Sequence, residues 1–285
     1  MAHFFHTSNG VQIPAIGLGT FRIKGEQAEN IIKYAIEQCQ YKLIDTAGIY
    51  RNEVAIGKAL TELSCRDDIF LTSKLSPHFQ GYEEALKAYQ KSLDDLQVSY
   101  LDLYLIHWPG KSGQKVENPN NKTARDGSWK TLVELYQSGK VRAIGVSNYT
   151  VRHLEEIESS GMMMPHVVQN EYHPLLAKDP VVTWCQSRGI VFQSYSTLGE
   201  GHLITNAEQY PALTALAQKY CTTISQLVLR WSIQHGVPVV PKSTNEDHIK
   251  QNLELYNFQI SDGDMLTIDD LHSGHKFCWD SKDVY

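Results

Sequence analysis

The sequence predicts a closed (β/α)8 barrel, an α/β fold, and three observations carry that prediction. Short runs rich in β-branched residues recur at 16–19, 42–44, 69–72, 101–106, 141–146, 167–169, 190–193 and 238–240. Helical patterns, with apolar residues three and four apart, lie around 26–38, 53–63, 82–96, 127–137, 151–158, 180–187, 211–235 (in two pieces) and 246–255. Strands separated by helices are parallel and joined by crossovers. An open doubly wound sheet also fits this alternation, but eight strands in 285 residues favour a barrel. No Pro/Gly/Ser-rich linker or change of composition divides residues 1–285, which read as one domain.

The chain opens with Asn9-Gly10 between short apolar stretches, a hairpin signal. It is expected to cap the bottom of the barrel. Each later strand run then ends in polar residues. "LIDTA" gives Asp45, "IFLTSK" gives Lys74, and "LYLIHWPG" gives His107 and Trp108. "IGVSN" gives Ser147 and Asn148, and "VVQNEYHP" gives Gln169, Asn170 and Glu171. "VFQSYS" gives Tyr195 and Ser196, and "PVVPKST" gives Lys242, Ser243 and Thr244. The C-terminal ends of barrel strands are where the chemistry of this architecture resides. The polar, turn-rich segment 110–125 reads as a long loop after the fourth strand, of the kind that serves as a lid.

Taken singly, each polar residue has a bland reading. Asp45 caps a helix, Lys74 is a surface lysine, His107 is a satisfied buried histidine, and Tyr50 and Tyr195 pack. Ser147-Asn148 starts the helix "NYTVRHLEEIE", and Lys242-Ser243 is solvated. The placement of all of them at one rim argues against chance. A metal-centre reading is also open, with His107, Glu171, His173 and Asp45 as ligands. It is weakened because a lysine among such ligands has no purpose, and no metal is expected.

Composition excludes several other classes. A net charge of −6 argues against a general nucleic-acid binder. Five dispersed cysteines, odd in number, lack metal or redox spacing and suggest reduced thiols in the cytoplasm. The opening "MAHFFHTSNG" lacks the basic and apolar regions of a secretory signal. No apolar run is long enough to span a membrane. A monomer acting on a small molecule is the expectation.

Nine motifs occur in an order that resembles the aldo-keto reductase superfamily: "GLGTF", "LIDTAGIYRNE", "LTSK", "LDLYLIHWP", "GKVRAIGVSNY", "VVQNEYHP", "SYSTLG", "VVPKS" and "HIKQNLELYNF". The resemblance runs from Gly17 to about Leu271, and to the aldose reductase-like members with short loops in particular. It implies an NADPH-dependent reductase of aldehydes and ketones, of the alcohol dehydrogenase type, on a (β/α)8 barrel. NADH is a weaker cofactor on this reading. The absence of a strand-associated G-x-G-x-x-G agrees with dinucleotide binding outside a Rossmann fold.

By this resemblance Asp45, Tyr50, Lys74 and His107 form the catalytic tetrad. The chemistry is intelligible from the residue types. A hydride added to a carbonyl leaves an alkoxide that needs a proton, and tyrosine is an acid with an ordinary pKa near 10. A neighbouring Lys74 favours the phenolate and is expected to lower that value by about one to three units. Asp45 keeps the ammonium charged, and His107 hydrogen-bonds the substrate oxygen as charge develops there.

The same resemblance assigns Gly19, Thr20, Phe21 and Asp45 to the cofactor site, with Ser147, Asn148 and Gln169 on the nicotinamide carboxamide. Tyr195 stacks on its ring, and Ser196 and Leu198 follow in the pyrophosphate region. Lys242, Ser243, Thr244 and His248 meet the adenosine 2′-phosphate, and Gln251 and Asn252 the adenine. Phe21, Tyr50, His107 and Trp108 line the substrate pocket. His248 stands where many members carry arginine, which keeps its charge where imidazole loses it; a weakened NADPH preference follows. Ser76-Pro77 replaces a bulky aromatic, Phe21 replaces tryptophan, and few residues separate Leu198 from Tyr210, which implies an open pocket. The segment 275–279 ("HKFCW") is expected to fold back over the rim. Some relatives serve as cofactor-binding regulatory or structural proteins with little turnover, and that is the alternative reading.

Overall fold

The computed structural model describes residues 3–285. A hairpin of β1 (Phe4–His6) and β2 (Gln12–Pro14) precedes seven parallel strands. These are β3 (Leu18–Gly19), β4 (Leu43–Asp45), β5 (Phe70–Leu75), β6 (Leu101–Ile106), β7 (Val141–Ser147), β8 (Val167–Glu171) and β9 (Val191–Tyr195), paired in that order. The eighth run closes the ring by single backbone links. Val239 N donates to Ala15 O at 2.9 Å, Gly17 N to Val239 O at 2.8 Å, and Ser194 N to Pro238 O at 2.8 Å. Pro238 and Pro241 bracket this run and offer no N–H, which keeps its ladder short.

Between the strands lie α1 (Gly25–Glu37), α2 (Glu53–Leu63), α3 (Tyr82–Leu96), α4 (Asn120–Gln137), α5 (Val151–Ser159), α6 (Pro180–Gln186), α7 (His202–Thr205), α8 (Pro211–Lys219), α9 (Ile224–Gln234), α10 (Glu246–Gln251) and α11 (Asp262–Asp269). Each longer helix buries one stripe: α3 inserts Ala85, Tyr89, Ser92, Leu93 and Leu96. Capping boxes at Thr150/His153 and Thr223/Gln226 start α5 and α9. No described helix is long and apolar enough to cross a membrane.

The strands are buried on both faces, which explains their nearly continuous apolar sequence. Ile44, Leu71, Tyr104, Ile144, Val168 and Phe192 belong to the layer under the helices. Leu43, Phe70, Leu103, Leu105, Ala143, Val167, Val191 and Val240 fill the barrel interior, with Ile13 of the hairpin below them. Phe5 and Val11 pack against that same cluster, so the hairpin closes the bottom. Its turn is fixed by Asn9, whose Nδ2 donates to Arg142 O at 2.9 Å, and by Gly10 at φ 83°.

One expectation needs correction, and one element was missed. The loop expected at 110–125 ends at residue 119, and α4 begins at Asn120. Asn121, polar enough to read as loop, is buried in the first turn. There it accepts from Lys111 N at 3.0 Å and donates to Lys115 O at 2.8 Å, tying the loop to the helix. Helix α11 was not anticipated, because only Met265 and Ile268 of it are buried and its periodicity is faint.

Candidate active site

Strand periodicity builds the site. Side chains two apart share a face, so each inward apolar residue sets the position of the next inward group. Leu43 is followed by Asp45; Phe70 by Thr72 and Lys74; Leu103 and Leu105 by His107. Ala143 leads through Gly145 to Ser147, and Val167 to Gln169 and Glu171. Val191 leads to Gln193 and Tyr195, and Val240 to Lys242. The polar groups are the upper layers of the same stack whose lower layers are apolar core.

Asp45 caps no helix. Its Oδ1 accepts from Lys74 Nζ at 2.5 Å and its Oδ2 from Gln169 Nε2 at 2.7 Å. Lys74, 1% exposed, also donates to Thr46 O at 3.0 Å. Burial pulls the Lys74 ammonium down, but Asp45 and Tyr50 together carry it above its ordinary value, so it stays charged. Gln169 Nε2 donates further to Gln193 Oε1 at 2.8 Å, which links three strands across the interior.

Tyr50 ends a 3-10 turn over Gly48–Tyr50, directly after β4. Arg51 follows with φ 58°, and buried Asn52 then pins the segment. Asn52 Nδ2 donates to Thr20 O and Ile23 O at 3.0 and 2.9 Å, while its Oδ1 accepts from Thr46 Oγ1 at 2.7 Å. The loop carrying Phe21 and the turn carrying Tyr50 are thereby held to one another. The Tyr50 ring lies 5.5 Å from that of His107 and 5.2 Å from that of Phe21, and Lys74 Nζ lies 5.1 Å from its centroid.

The expectation that Lys74 leaves the phenol more acidic than usual is corrected. Burial raises the Tyr50 pKa by more than Lys74 lowers it, and the phenol keeps its proton well above neutrality. His107 is driven well below its ordinary value by burial and then by the Lys74 charge, so its imidazole is neutral. Its Nδ1 is buried without a hydrogen-bond partner.

Ser147 and Asn148 do not start a helix, since Thr150 is the cap of α5. Ser147 Oγ donates to Gln169 O at 2.6 Å, and Asn148 Nδ2 to His107 O at 2.9 Å. Asn148 has φ 62°, and its Oδ1 receives the Tyr195 hydroxyl. Thr20 Oγ1 donates to Asp45 O at 2.9 Å. At Gly19 a Cβ would fall 2.6 Å from Val240 O, so only glycine lets β3 pass this close to the eighth run. On that flank Lys242, Thr244 and His248 are exposed and Ser243 and Asn252 buried. Lys242 makes no ion pair among the described residues. Asn245 caps α10 by accepting from His248 N at 3.0 Å. Ser196 has φ 48°, Leu198 opens a 3-10 turn, and Gln251 ends α10.

The 275–279 segment does cross the rim. Phe277 N and Cys278 N donate to the Glu171 carboxylate at 2.6 and 3.2 Å, and Trp279 packs 4.9 Å from Trp108. His173 Nε2 bonds the same carboxylate at 2.9 Å. Glu171 and Asp45 are thus engaged with Lys74, His173, Gln169 and backbone. Among the described residues no group of three or more His, Cys, Asp or Glu is arranged to hold a metal ion. Gln193 and Asn52 were not singled out from the sequence, and Trp279 only as the end of the 275–279 segment, without its contact to Trp108; strand periodicity alone would have found Gln193.

A model of the aldo/keto reductase family matches residues 15–273. The chain belongs to the aldo/keto reductase family. It is 41% identical over 270 residues to the glyoxal reductase of Bacillus subtilis (strain 168), covering 94% of this chain and 92% of that one. An aldo/keto reductase from Brucella melitensis has a crystal structure that superposes with a TM-score of 0.85 at 34% identity, over 95% of this chain and 100% of that one. The Bombyx mori aldo-keto reductase, solved in complex with NADP, gives a TM-score of 0.87 at 29% identity, over 98% and 95% of the two chains. This family of oxidoreductases supplies the fold, and the inward rim of this chain carries its polar groups.

Proposed function

We propose that this protein reduces aldehydes and ketones to alcohols with NADPH, using Tyr50 as the proton donor. One observation carries the reading. A half-buried tyrosine, a neutral histidine and a lysine held charged by a buried aspartate meet at one layer of the barrel. A phenol that acts as general acid must hold its proton at neutral pH, and a cation beside it stabilises the phenolate left behind.

The rim fits a nicotinamide dinucleotide. Gln169 Nε2 is committed to Asp45 and Gln193, which leaves its carbonyl oxygen to accept from a carboxamide. Ser147 and Asn148 stand beside it, and Tyr195 offers a ring for stacking. Lys242, without an ion pair among the described residues, supplies a cation for the 2′-phosphate, with Ser243, Thr244 and His248 near it and Gln251 and Asn252 toward the adenine. The NADP complex of the silkworm relative supports this cofactor. When bound, the nicotinamide supplies the hydride.

The chain's own residues do the rest. His107 donates Nε2–H to the carbonyl oxygen and steadies charge growing there. Tyr50 then delivers its proton to that oxygen. Lys74 stabilises the phenolate, and Asp45 holds Lys74 in place and charged. Phe21 and Trp108 wall the site. The glyoxal reductase relative makes small reactive aldehydes the substrates to try first. Absorbance-followed NADPH oxidation with glyoxal, methylglyoxal and larger aldehydes tests the proposal. Cofactor binding with no turnover of any carbonyl would instead favour a regulatory or structural role.

A further inference from the structure

The C-terminal segment is tied to the barrel at separated points. Ser273 N and Gly274 N donate to Leu175 O at 3.0 Å, Ser281 Oγ donates to Asn148 O, and His153 Nε2 bonds Val284 O at 2.9 Å. Between these ties it borders a groove of about 550 Å³, lined in part by Asn148, Asn170, Val181, Trp279 and Ser281. Phe277 packs between His173 and His202, at 5.1 and 4.8 Å, and hydrogen bonds fix the backbone on either side of it where the segment faces the groove.

The central tie is Glu171. The residue is 4% exposed and ends β8 at an inward position, two beyond Gln169. One carboxylate oxygen accepts from Phe277 N at 2.6 Å and His173 Nε2 at 2.9 Å; the other accepts from Cys278 N at 3.2 Å. These are charge-assisted bonds, stronger than neutral ones, and they refer the segment to a rigid strand. The next residue is Trp279, whose ring lies 4.9 Å from Trp108, itself 6.3 Å from His107.

We propose that Glu171 is a positioning residue that sets which carbonyl compounds are accepted: by holding the Phe277 and Cys278 amides it fixes Trp279 against Trp108 as the wall met by the substrate's apolar part. The inference rests on the carbonyl-reductase reading. It separates two substrate classes. Aldehydes too small to reach Trp279 are indifferent to the tie, and aryl aldehydes depend on it. Glu171 touches neither the reacting atoms nor the tetrad.

Glu171→Gln removes the charge and one acceptor oxygen at nearly constant shape. Hydrogen exchange of the NADPH complex should show the Phe277 and Cys278 amides opening at least about tenfold faster. NADPH affinity and methylglyoxal turnover should stay within about twofold to threefold, while KM for phenylglyoxal rises about tenfold and kcat changes less. These two substrates share the reacting aldehyde and differ in the aryl group. Trp279→Ala leaves the tie intact and should raise the phenylglyoxal KM comparably; the double variant should add little to either. Unchanged amide exchange in Glu171→Gln, equal proportional losses for both substrates, or full additivity in the double variant would overturn the proposal. A wild type that binds NADPH and reduces neither compound overturns the functional reading, and the specificity role with it. The exchange measurement still reports in that case whether Glu171 holds the segment.

Discussion

Replacing Lys74 with methionine leaves a carboxylate in the barrel with one side-chain donor. In the wild type Asp45, 4% exposed, receives Lys74 Nζ at 2.5 Å and Gln169 Nε2 at 2.7 Å. Lys74→Met removes the first and keeps the second, so the charge is hydrogen-bonded but uncompensated. Breaking a buried pair in this way costs about 3–5 kcal/mol. At about 2 °C per kcal/mol for a chain this long, the melting point should fall by roughly 6–10 °C. Asp45→Asn on top of Lys74→Met removes the stranded charge and keeps an acceptor for Gln169, so the double variant should melt well above Lys74→Met alone. Neutral pH is the right condition. The Lys74 pKa is raised in the folded protein, so its contribution is fully present below about pH 10 and is lost only as pH rises through the raised value. Calorimetric melts of all four proteins complete the cycle. Additive losses, with the double variant the least stable, would refute direct pairing.

Further outcomes follow from other positions. Lys242→Met should weaken NADPH binding about ten- to hundredfold in a fluorescence titration and leave NADH nearly unmoved, since a charged hydrogen bond is worth about 1.5–3 kcal/mol. His248→Arg should tighten NADPH, because the guanidinium is charged at every working pH. Burial pushes the His153 imidazole down to about 4, where its Nδ1 accepts from Thr150 N at 3.2 Å. Its contribution is present above about pH 6.5 and is lost as pH falls through about 4, roughly 3 kcal/mol in all. Melts across that range should show the loss, and His153→Gln should flatten it.

The fold was legible because its signals are local and repeated. Strand parity carries Leu43 to Asp45, Phe70 to Lys74 and Leu105 to His107, so the rim could be read from the core beneath it. Asn121 misled because its polarity, which reads as loop, serves here to fasten the loop 110–119 to a helix. Helix α11 hid because it is mostly solvated. The sign of the Tyr50 shift was beyond the sequence. It depends on how much water the folded site excludes, and the sequence shows only that a lysine is near. Asn52 and Trp279 act through contacts with Thr20, Ile23 and Trp108, residues distant in the chain, which no spacing rule exposes. The 275–279 crossing was anticipated, but its anchorage at Glu171 was not.

Tyr50→Phe tests the central claim most directly. It deletes one hydroxyl and keeps the ring that packs on Phe21 and His107. Single-turnover reduction of methylglyoxal by the NADPH-loaded variant, beside a titration of NADPH affinity, separates chemistry from binding. The account predicts a rate at least about a hundredfold below wild type, the lower range for losing a general acid, with NADPH affinity nearly unchanged. A rate close to wild type would show that the proton comes from elsewhere and would contradict the assignment of Tyr50.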